Sequence, residues 1–185
     1  MKVYFTGSIA AKDKYLDHYK IIIKHLEDHG HSVISEHILG ATETQIRITS
    51  REDRLKFHDQ LERWIKGSDF MIAETSFPSI SVGYEISLAL KLGKPVLILY
   101  SEGDPPSLLA HHQNETLACE HYTRDNIGEI LTNFIHYVEG KSDMRFTFFI
   151  TADIASYLDE VAKKEKLPKS VYLRKLIEKD MRSKH

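Results

Sequence analysis

The stretch ETSFPSISVGYE, residues 74–85, crowds serines, a glycine and two carboxylates between a strand-like apolar run and a run with helical period. A plain connection between a strand and a helix needs only two to six loosely chosen polar residues. Ser79, Ser81 and Gly83 instead place small residues at the predicted helix start, where free backbone N–H groups and the helix dipole attract anions. These residues therefore predict a cradle for a phosphate or a carboxylate.

Glu85 falls in the first turn of the predicted helix and has two interpretations. An exposed glutamate there would complement the helix dipole. A carboxylate that points into the cleft lined by the serines would instead act as a nucleophile or a base. Tyr4, near the end of the predicted first strand, is either a core residue or the hydrogen-bonding partner that holds Glu85. The sequence leaves both alternatives open.

The elements around this stretch alternate between strands and helices. Strands are predicted at residues 2–5, 32–35, 70–74, 96–100 and 120–122, and helices at residues 15–26, 51–66, 82–92 and 125–139. This alternation predicts an α/β fold, a doubly wound Rossmann- or flavodoxin-like parallel sheet of five strands. Ligands bind such sheets beyond the carboxyl ends of the strands, where Gly7, Ser8, His37 and the polar stretch lie.

Composition excludes several classes of protein. Cys119 is the single cysteine, so no disulfide framework is expected and a reducing cytoplasm is favoured. His25 and His29 have helical spacing without a tight ligand set, so neither a metal nor another cofactor is expected. The sequence has no run of about eighteen apolar residues, the length that spans a membrane, and residues 1–5 lack the pattern of a signal peptide.

Charge and pattern divide the chain into two predicted domains, residues 1–140 and 144–185. Residues 141–185 carry eleven basic and seven acidic side chains, a net charge of +4. Because the whole chain has a net charge of −2, residues 1–140 have a net charge of −6. The tail predicts a strand at residues 145–151 and helices at 153–166 and 167–181. About 40 residues of this kind cannot bury a core alone, so a partner chain is expected.

The segments VYFTGSI at residues 3–9, SEHI at 35–38, WIKGSD at 64–69, AETSFPSISVGYE at 73–85 and GKPV at 93–96 occur in an order that resembles the nucleoside 2-deoxyribosyltransferase superfamily. The branch of 2′-deoxynucleoside 5′-phosphate N-hydrolases is the most similar. The resemblance covers residues 2–140. It implies cleavage of the bond between a base and C1′ of deoxyribose, with a nucleoside 5′-monophosphate as substrate.

The resemblance also implies roles for individual residues. Glu85 would attack C1′ and form a covalent glycosyl-enzyme that water resolves, as in retaining glycosidases, while Tyr4 would orient Glu85. Residues expected to bind substrate are Gly7, Ser8, Ile9, His37, Ser79, Ser81, Gly83 and Ser107. Ser79 and Ser81 would hold the 5′-phosphate, and Ser107 matches a serine that the family supplies across a dimer interface.

Two positions depart from the family. Leu61 stands where the family carries an aspartate that serves the sugar and the departing base, and neither Asp59 nor Glu62 replaces it, because both lie elsewhere around the helix. After the first strand, an arginine and two glycines of the family become Ala10, Ala11 and Lys12, and Lys12 is the remaining candidate for a charge on the phosphate. Loss of acid–base help typically costs about 10²–10⁴-fold in rate.

Residues 144–182 resemble a ribbon-helix-helix (β-α-α) module. In that family two ribbons pair between chains, and a serine at the start of the second helix contacts a DNA phosphate, a place that Lys169 and Ser170 match. Arg145, Thr147 and Phe149 occupy the outward ribbon positions. Arginine and threonine suit base reading, whereas Phe149 is out of character. A clasp that joins two chains without DNA is the alternative.

Two functions follow from these patterns. The first is a nucleotide N-glycosidase or deoxyribosyltransferase, assembled as a homodimer or homotetramer and favoured by Glu85, Tyr4 and the serines. The second is a nucleotide sensor that regulates DNA binding by the tail, favoured by Leu61 and by the basic tail itself.

Overall fold

The computed structural model describes residues 1–42, 50–103, 116–140, 151–165 and 169–183. The chain divides into two compact units, Met1–Asp143 and Met144–His185. Within the described residues, no helix has the length and apolar character needed to cross a membrane.

The first unit contains ten helices and strands within its described residues. They are β1 (Lys2–Gly7), α1 (Lys12–Asp28), β2 (Ser32–Ile34), α2 (Glu36–Leu39), α3 (Arg51–Lys66), β3 (Phe70–Glu74), α4 (Ile80–Lys91), β4 (Val96–Tyr100), β5 (Leu117–His121) and α5 (Ile127–Val138). The strands form one parallel sheet in the order β2-β1-β3-β4-β5. The predicted five-stranded parallel sheet is therefore confirmed.

Each face of the sheet is covered by a different pair of long helices. Val3 and Phe5 of β1 pack with apolar residues of α1 and α5. Tyr4, between them, points to the opposite face and joins a core that includes Leu61 of α3 and Ile86 of α4. This alternation follows from the two-residue period of a strand, and it assigns every side chain at the carboxyl edge to one of the two faces.

The chain reverses its direction of winding between β1 and β3, which are neighbours in the sheet. The register aligns Gly7 with Glu74, the last residues of these two strands. Because the connections that follow β1 and β3 leave this edge in opposite directions, a crevice opens there. This crevice is the usual ligand site of such sheets.

Several predicted boundaries differ from the structure. The helix expected from residue 82 begins at Ile80, because Ser79 caps it: the Ser79 hydroxyl accepts a hydrogen bond from the Val82 N–H at 3.4 Å. Ser81 and Gly83 therefore lie inside the helix rather than before it. Asn126 occupies the N-cap of α5, so this helix begins two residues after the predicted bound. The helix α2 is not predicted from the sequence, because four residues are too few for a helical period to be visible.

The second unit contains α6 (Ala152–Glu165) and α7 (Lys169–Ser183) among its described residues. The hydroxyls of Tyr157 on α6 and Tyr172 on α7 lie 3.3 Å apart. The two predicted tail helices are present in these positions, whereas nearly all of the strand predicted at residues 145–151 lies outside the described residues.

Candidate active site

Glu85 lies in the second turn of α4, on the side of the helix that faces the sheet. Val82, Glu85, Ile86 and Ala89 form the buried stripe of this helix, and Glu85 is only 6% exposed. The Tyr4 hydroxyl donates a hydrogen bond of 3.1 Å to Glu85 Oε2. An exposed, first-turn glutamate that only complements the dipole is therefore excluded. Tyr4 is both a core residue and the partner of Glu85.

The electrostatics of this pair follow from burial. Loss of hydration raises the pKa of the Glu85 carboxyl above its ordinary value, and the nearby Thr6 and Tyr4 hydroxyls lower it in part. The Thr6 hydroxyl oxygen nevertheless forms no hydrogen bond of regular geometry with a described residue. Burial and the Glu85 charge raise the pKa of Tyr4 well above its usual range, so Tyr4 remains a protonated donor.

His37 belongs to the same site through an aromatic stack. Its ring lies parallel to Tyr4, with centroids 4.9 Å apart and an interplanar angle of 18°. Trp64 covers it at 5.2 Å, and Phe57 lies 6.5 Å away. Both ring nitrogens are buried and have no hydrogen-bond partner among the described residues. Burial lowers the pKa of His37 to about 4, so the ring is neutral near pH 7.

The end of β1 supplies the other predicted substrate contacts. A Cβ added at Gly7 would lie 2.8 Å from Tyr19 Cζ, so only glycine fits there without a shift of that ring. Ser8 is buried, and its carbonyl accepts a hydrogen bond from the Tyr19 hydroxyl at 3.0 Å. Ile9 is partly buried against the same core. The three residues thus lie at the carboxyl edge next to the crevice.

The Lys12 ammonium is already bound by the protein, which corrects the expectation that it holds the phosphate. It donates to the carbonyls of Leu39 at 2.5 Å and Ala41 at 2.8 Å. Leu39 ends α2, the short helix that carries His37, and Ala41 follows it. Lys12 therefore stabilises the segment that supports the aromatic stack.

Leu61, which stands where the family carries an aspartate, is a core residue. It is 5% exposed and packs in the core cluster that also contains Tyr4 and Ile65. Asp59 and Glu62, its acidic neighbours on α3, are exposed. No carboxylate therefore takes the place of Leu61 on the buried face of α3.

Glu74 is a second buried glutamate, which the sequence analysis did not assign to a role. It ends β3 and is fully buried. Its Oε1 accepts hydrogen bonds from the Ser76 N–H at 3.2 Å, the Ser76 hydroxyl and the Tyr122 hydroxyl at 3.1 Å. Burial raises the pKa of this carboxyl, and the Ser76 and Tyr122 donors oppose the rise. The sequence signal was the position alone, a carboxylate at the end of an apolar strand.

The remaining predicted site residues are Ser107 and four residues of the tail. Ser107, Arg145 and Thr147 lie outside the described residues. Lys169 and Ser170 begin α7, as expected for the start of the second tail helix, but only their backbone is described. Among the described residues, no group of three or more His, Cys, Asp and Glu side chains is arranged to hold a metal ion.

Comparison with known proteins identifies relatives of the first unit. A family model described as nucleoside 2-deoxyribosyltransferase matches residues 3–131. A putative 2′-deoxynucleoside 5′-phosphate N-hydrolase 1 from Nematostella vectensis is 32% identical over 139 residues, covering 72% of this chain and 92% of the relative. A 5-hydroxymethyl-dUMP N-hydrolase from Tetraodon nigroviridis is 30% identical over 142 residues, covering 72% of this chain and 96% of the relative.

A solved structure extends the likeness to the fold. The Clostridium botulinum CMP N-glycosidase BcmB superposes with a TM-score of 0.52 and 20% sequence identity, covering 74% of this chain and 99% of that one. At this level of identity, the match concerns the Rossmann-like architecture alone.

Proposed function

The chain belongs to the nucleoside 2-deoxyribosyltransferase family, and we propose that it cleaves the N-glycosidic bond of a nucleoside 5′-monophosphate with Glu85 as the nucleophile. One observation carries the proposal: Glu85 is buried near Thr6 at the carboxyl end of β1, with Tyr4 donating to Oε2 at 3.1 Å. A surface glutamate has no need of such a partner. Names of relatives that refer to N-hydrolysis of nucleotides support the same reaction type.

The reaction needs two steps at C1′. A Glu85 oxygen forms a bond to C1′ while the bond from C1′ to the base nitrogen breaks, and its electron pair leaves with the base, which takes up a proton. Water then attacks C1′, gives a proton to solvent and releases Glu85 as a carboxylate. Tyr4 holds the other carboxylate oxygen throughout and keeps the attacking atom aimed at the sugar.

The substrate class follows from the start of α4. The amides of Ile80 and Ser81 precede the first intrahelical hydrogen bond, because the Gly83 N–H already donates to the Ser79 carbonyl at 3.0 Å. Two such amides at the positive end of a helix suit a phosphate. Trp64, which covers His37 and is itself only partly buried, offers an aromatic surface on which a planar base can stack. A nucleoside 5′-monophosphate satisfies both features.

Replacement of Glu85 tests the proposal directly. Glu85→Gln keeps the shape and the hydrogen bond from Tyr4 but cannot attack C1′, so release of free base from nucleoside monophosphates should stop. Nucleotide affinity, measured by calorimetry, should change by less than about threefold. Base release by Glu85→Gln at the parent rate would contradict the assignment of the nucleophile.

A nucleotide sensor is the second candidate, and the buried Leu61 favours it. A site without a carboxylate at this position lacks one source of acid–base help, typically worth about 10²–10⁴-fold. In a sensor, Glu85→Gln would alter affinity alone, and the parent would release no base.

The tail completes the proposal as a separate domain from residue 144. Two helices in a tail whose residues 141–185 have a net charge of +4 support the resemblance to a ribbon-helix-helix module, and we assign to this tail the joining of two chains. Binding of DNA through Arg145, Thr147, Lys169 and Ser170 is the further role that this resemblance suggests. Titration with mixed-sequence duplex DNA at two salt concentrations tests it, because phosphate contacts weaken steeply as salt rises.

A further inference from the structure

Glu74 and Glu85 are buried glutamates that lie on opposite faces of the sheet, Glu74 at the end of β3 and Glu85 on helix α4. Glu85 reaches the face that Tyr4 occupies, whereas Glu74 shares the opposite face with Phe70 and Ile72 of its own strand. Glu74 is 0% exposed. A buried carboxylate is costly, and an apolar residue at such a place is often at least as stabilising. Glu74 Oε2 is buried without a hydrogen-bond partner among the described residues, so the role of Glu74 must lie in what its Oε1 atom holds.

Glu74 Oε1 holds the turn that follows β3. It accepts from both the backbone N–H and the hydroxyl of Ser76, and Tyr122 beyond β5 adds a third donor. The Ser76 hydroxyl oxygen in turn accepts a hydrogen bond of 2.8 Å from the Ser101 N–H. The turn is thus fixed to the ends of three neighbouring strands, β3, β4 and β5.

This turn leads to the proposed phosphate site within three residues. Thr75 is bound to the Leu99 carbonyl through its N–H at 2.7 Å, Ser76 is bound to Glu74, and Ser79 then caps α4. We propose that Glu74 is a positioning residue which, through Ser76, places Ser79 and the first amides of α4 for the 5′-phosphate. This inference rests on the proposed function. The Tyr4–Glu85 pair is reached from the other face and stays in place.

A comparison of nucleotide with nucleoside affinity isolates this role. Hydrogen bonds from amides to a phosphate oxygen weaken steeply beyond about 3.2 Å, so a small shift of the turn matters for the phosphate alone. In a Glu85→Gln background, which prevents turnover, calorimetry would measure the four deoxynucleoside 5′-monophosphates and the matching deoxynucleosides. Glu74→Ala should weaken binding of the nucleotide by about tenfold or more and binding of its nucleoside by less than about twofold.

Three further variants separate positioning from general stability. Glu74→Gln keeps an oxygen that accepts from Ser76 and should recover most of the nucleotide affinity. Ser68→Ala removes another buried hydroxyl, which lies before the start of β3 and donates to the Ile65 carbonyl of α3 at 2.8 Å. This change should lower Tm without a selective loss of nucleotide affinity. Tyr122→Phe removes one donor to Glu74 and should cause a smaller selective loss of nucleotide affinity. This variant tests the inference even if Glu74→Ala does not fold.

Three outcomes would overturn the inference, and the first two are distinguishable from the third. Equal losses for nucleotide and nucleoside in Glu74→Ala, or an unchanged ratio in Tyr122→Phe where Glu74→Ala does not fold, would remove the positioning role and leave the proposed function intact. A background protein that binds no nucleotide before any change at Glu74 would remove both.

Discussion

Glu85 is a carboxylate held between a helix and a sheet, and its chemistry follows from the few groups that reach it. Burial raises its pKa, while the hydroxyls of Tyr4 and Thr6 stabilise the charged form in part. Only the ionised form can attack C1′. The rate of base release should therefore rise with pH through a value above the usual carboxyl range.

The same shift predicts how stability depends on pH. A carboxyl whose pKa is raised by folding contributes most to stability below its unfolded value, and that contribution is lost as pH rises through the folded value. Glu85→Gln removes this loss, so Tm of the variant should exceed that of the parent at pH 8. The difference should shrink toward zero as pH falls to about 4, near the unfolded carboxyl value. Thermal melts across this range measure it, and a difference that grows on acidification would contradict the assigned shift.

Leu61 decides between a slow enzyme and a sensor. Leu61→Asp restores a carboxylate on the buried face of α3 and should raise base release by about 10²–10⁴-fold if the rest of the site is competent. Loss of hydration of the new Asp should also cost on the order of a few kcal/mol of stability. Single-turnover measurements of free base, together with melts, separate the two effects.

Leu55→Asp is the matched control for this change. Leu55 lies on the same helix but is 58% exposed, so the added charge there should alter neither turnover nor stability appreciably. A stable Leu61→Asp protein with no gain in base release, beside an inactive parent, would leave the sensor as the function.

At the scale of elements, the sequence predicts the bounds of those helices and strands that have a clear hydrophobic period. The bounds of α3, β3 and β4 agree with the prediction because each has a clear period and a polar or glycine boundary. The predicted start of α4 lies two residues too late, because Ser79 rather than Ser81 supplies the cap. Residue type alone does not distinguish these two serines. The resemblance pairs Tyr4 with Glu85, and the structure has a hydrogen bond of 3.1 Å between their side chains. The roles of Trp64, Thr6 and Glu74 depend on contacts between distant segments, which no local pattern contains.

The cap of α4 is expected to serve both the helix and the phosphate. Ser79→Ala removes the acceptor for the Val82 N–H and should cost about 1 kcal/mol of stability. Nucleotide affinity should fall more than nucleoside affinity, because the first amides of α4 lose their fixed direction. Calorimetry with both ligands and a denaturant titration measure the two effects.

Ser50 offers a matched cap for comparison. Its hydroxyl accepts from the Asp53 N–H at 3.1 Å at the start of α3, so Ser50→Ala should cost a similar amount of stability. The ratio of nucleotide to nucleoside affinity should stay unchanged. A selective loss of nucleotide affinity in Ser50→Ala but not in Ser79→Ala would place the phosphate at α3 and contradict the proposed site at α4.

At the scale of the whole molecule, the chain joins an acidic unit to a basic one. The family model ends at residue 131, and the second compact unit begins at Met144. Its two helices leave large apolar side chains exposed: Ile154, Tyr157, Leu176, Ile177 and Met181. Isolated apolar residues on a surface are ordinary, but several on two short helices indicate a surface that a partner covers.

A second copy of the chain is the expected partner, since a unit of this size does not bury a core of its own. Leu176, Ile177 and Met181 on α7 are 43%, 61% and 59% exposed. The parent should sediment as a dimer or a tetramer at micromolar concentration. Ile177→Glu, which places a charge in the proposed contact, should lower the measured mass by half, whereas Lys179→Glu, an exposed polar position on the same helix, should not. A parent that sediments as a monomer would refute assembly through the tail, and a chain that ends at residue 140 yet remains a dimer would place a second contact in the first unit.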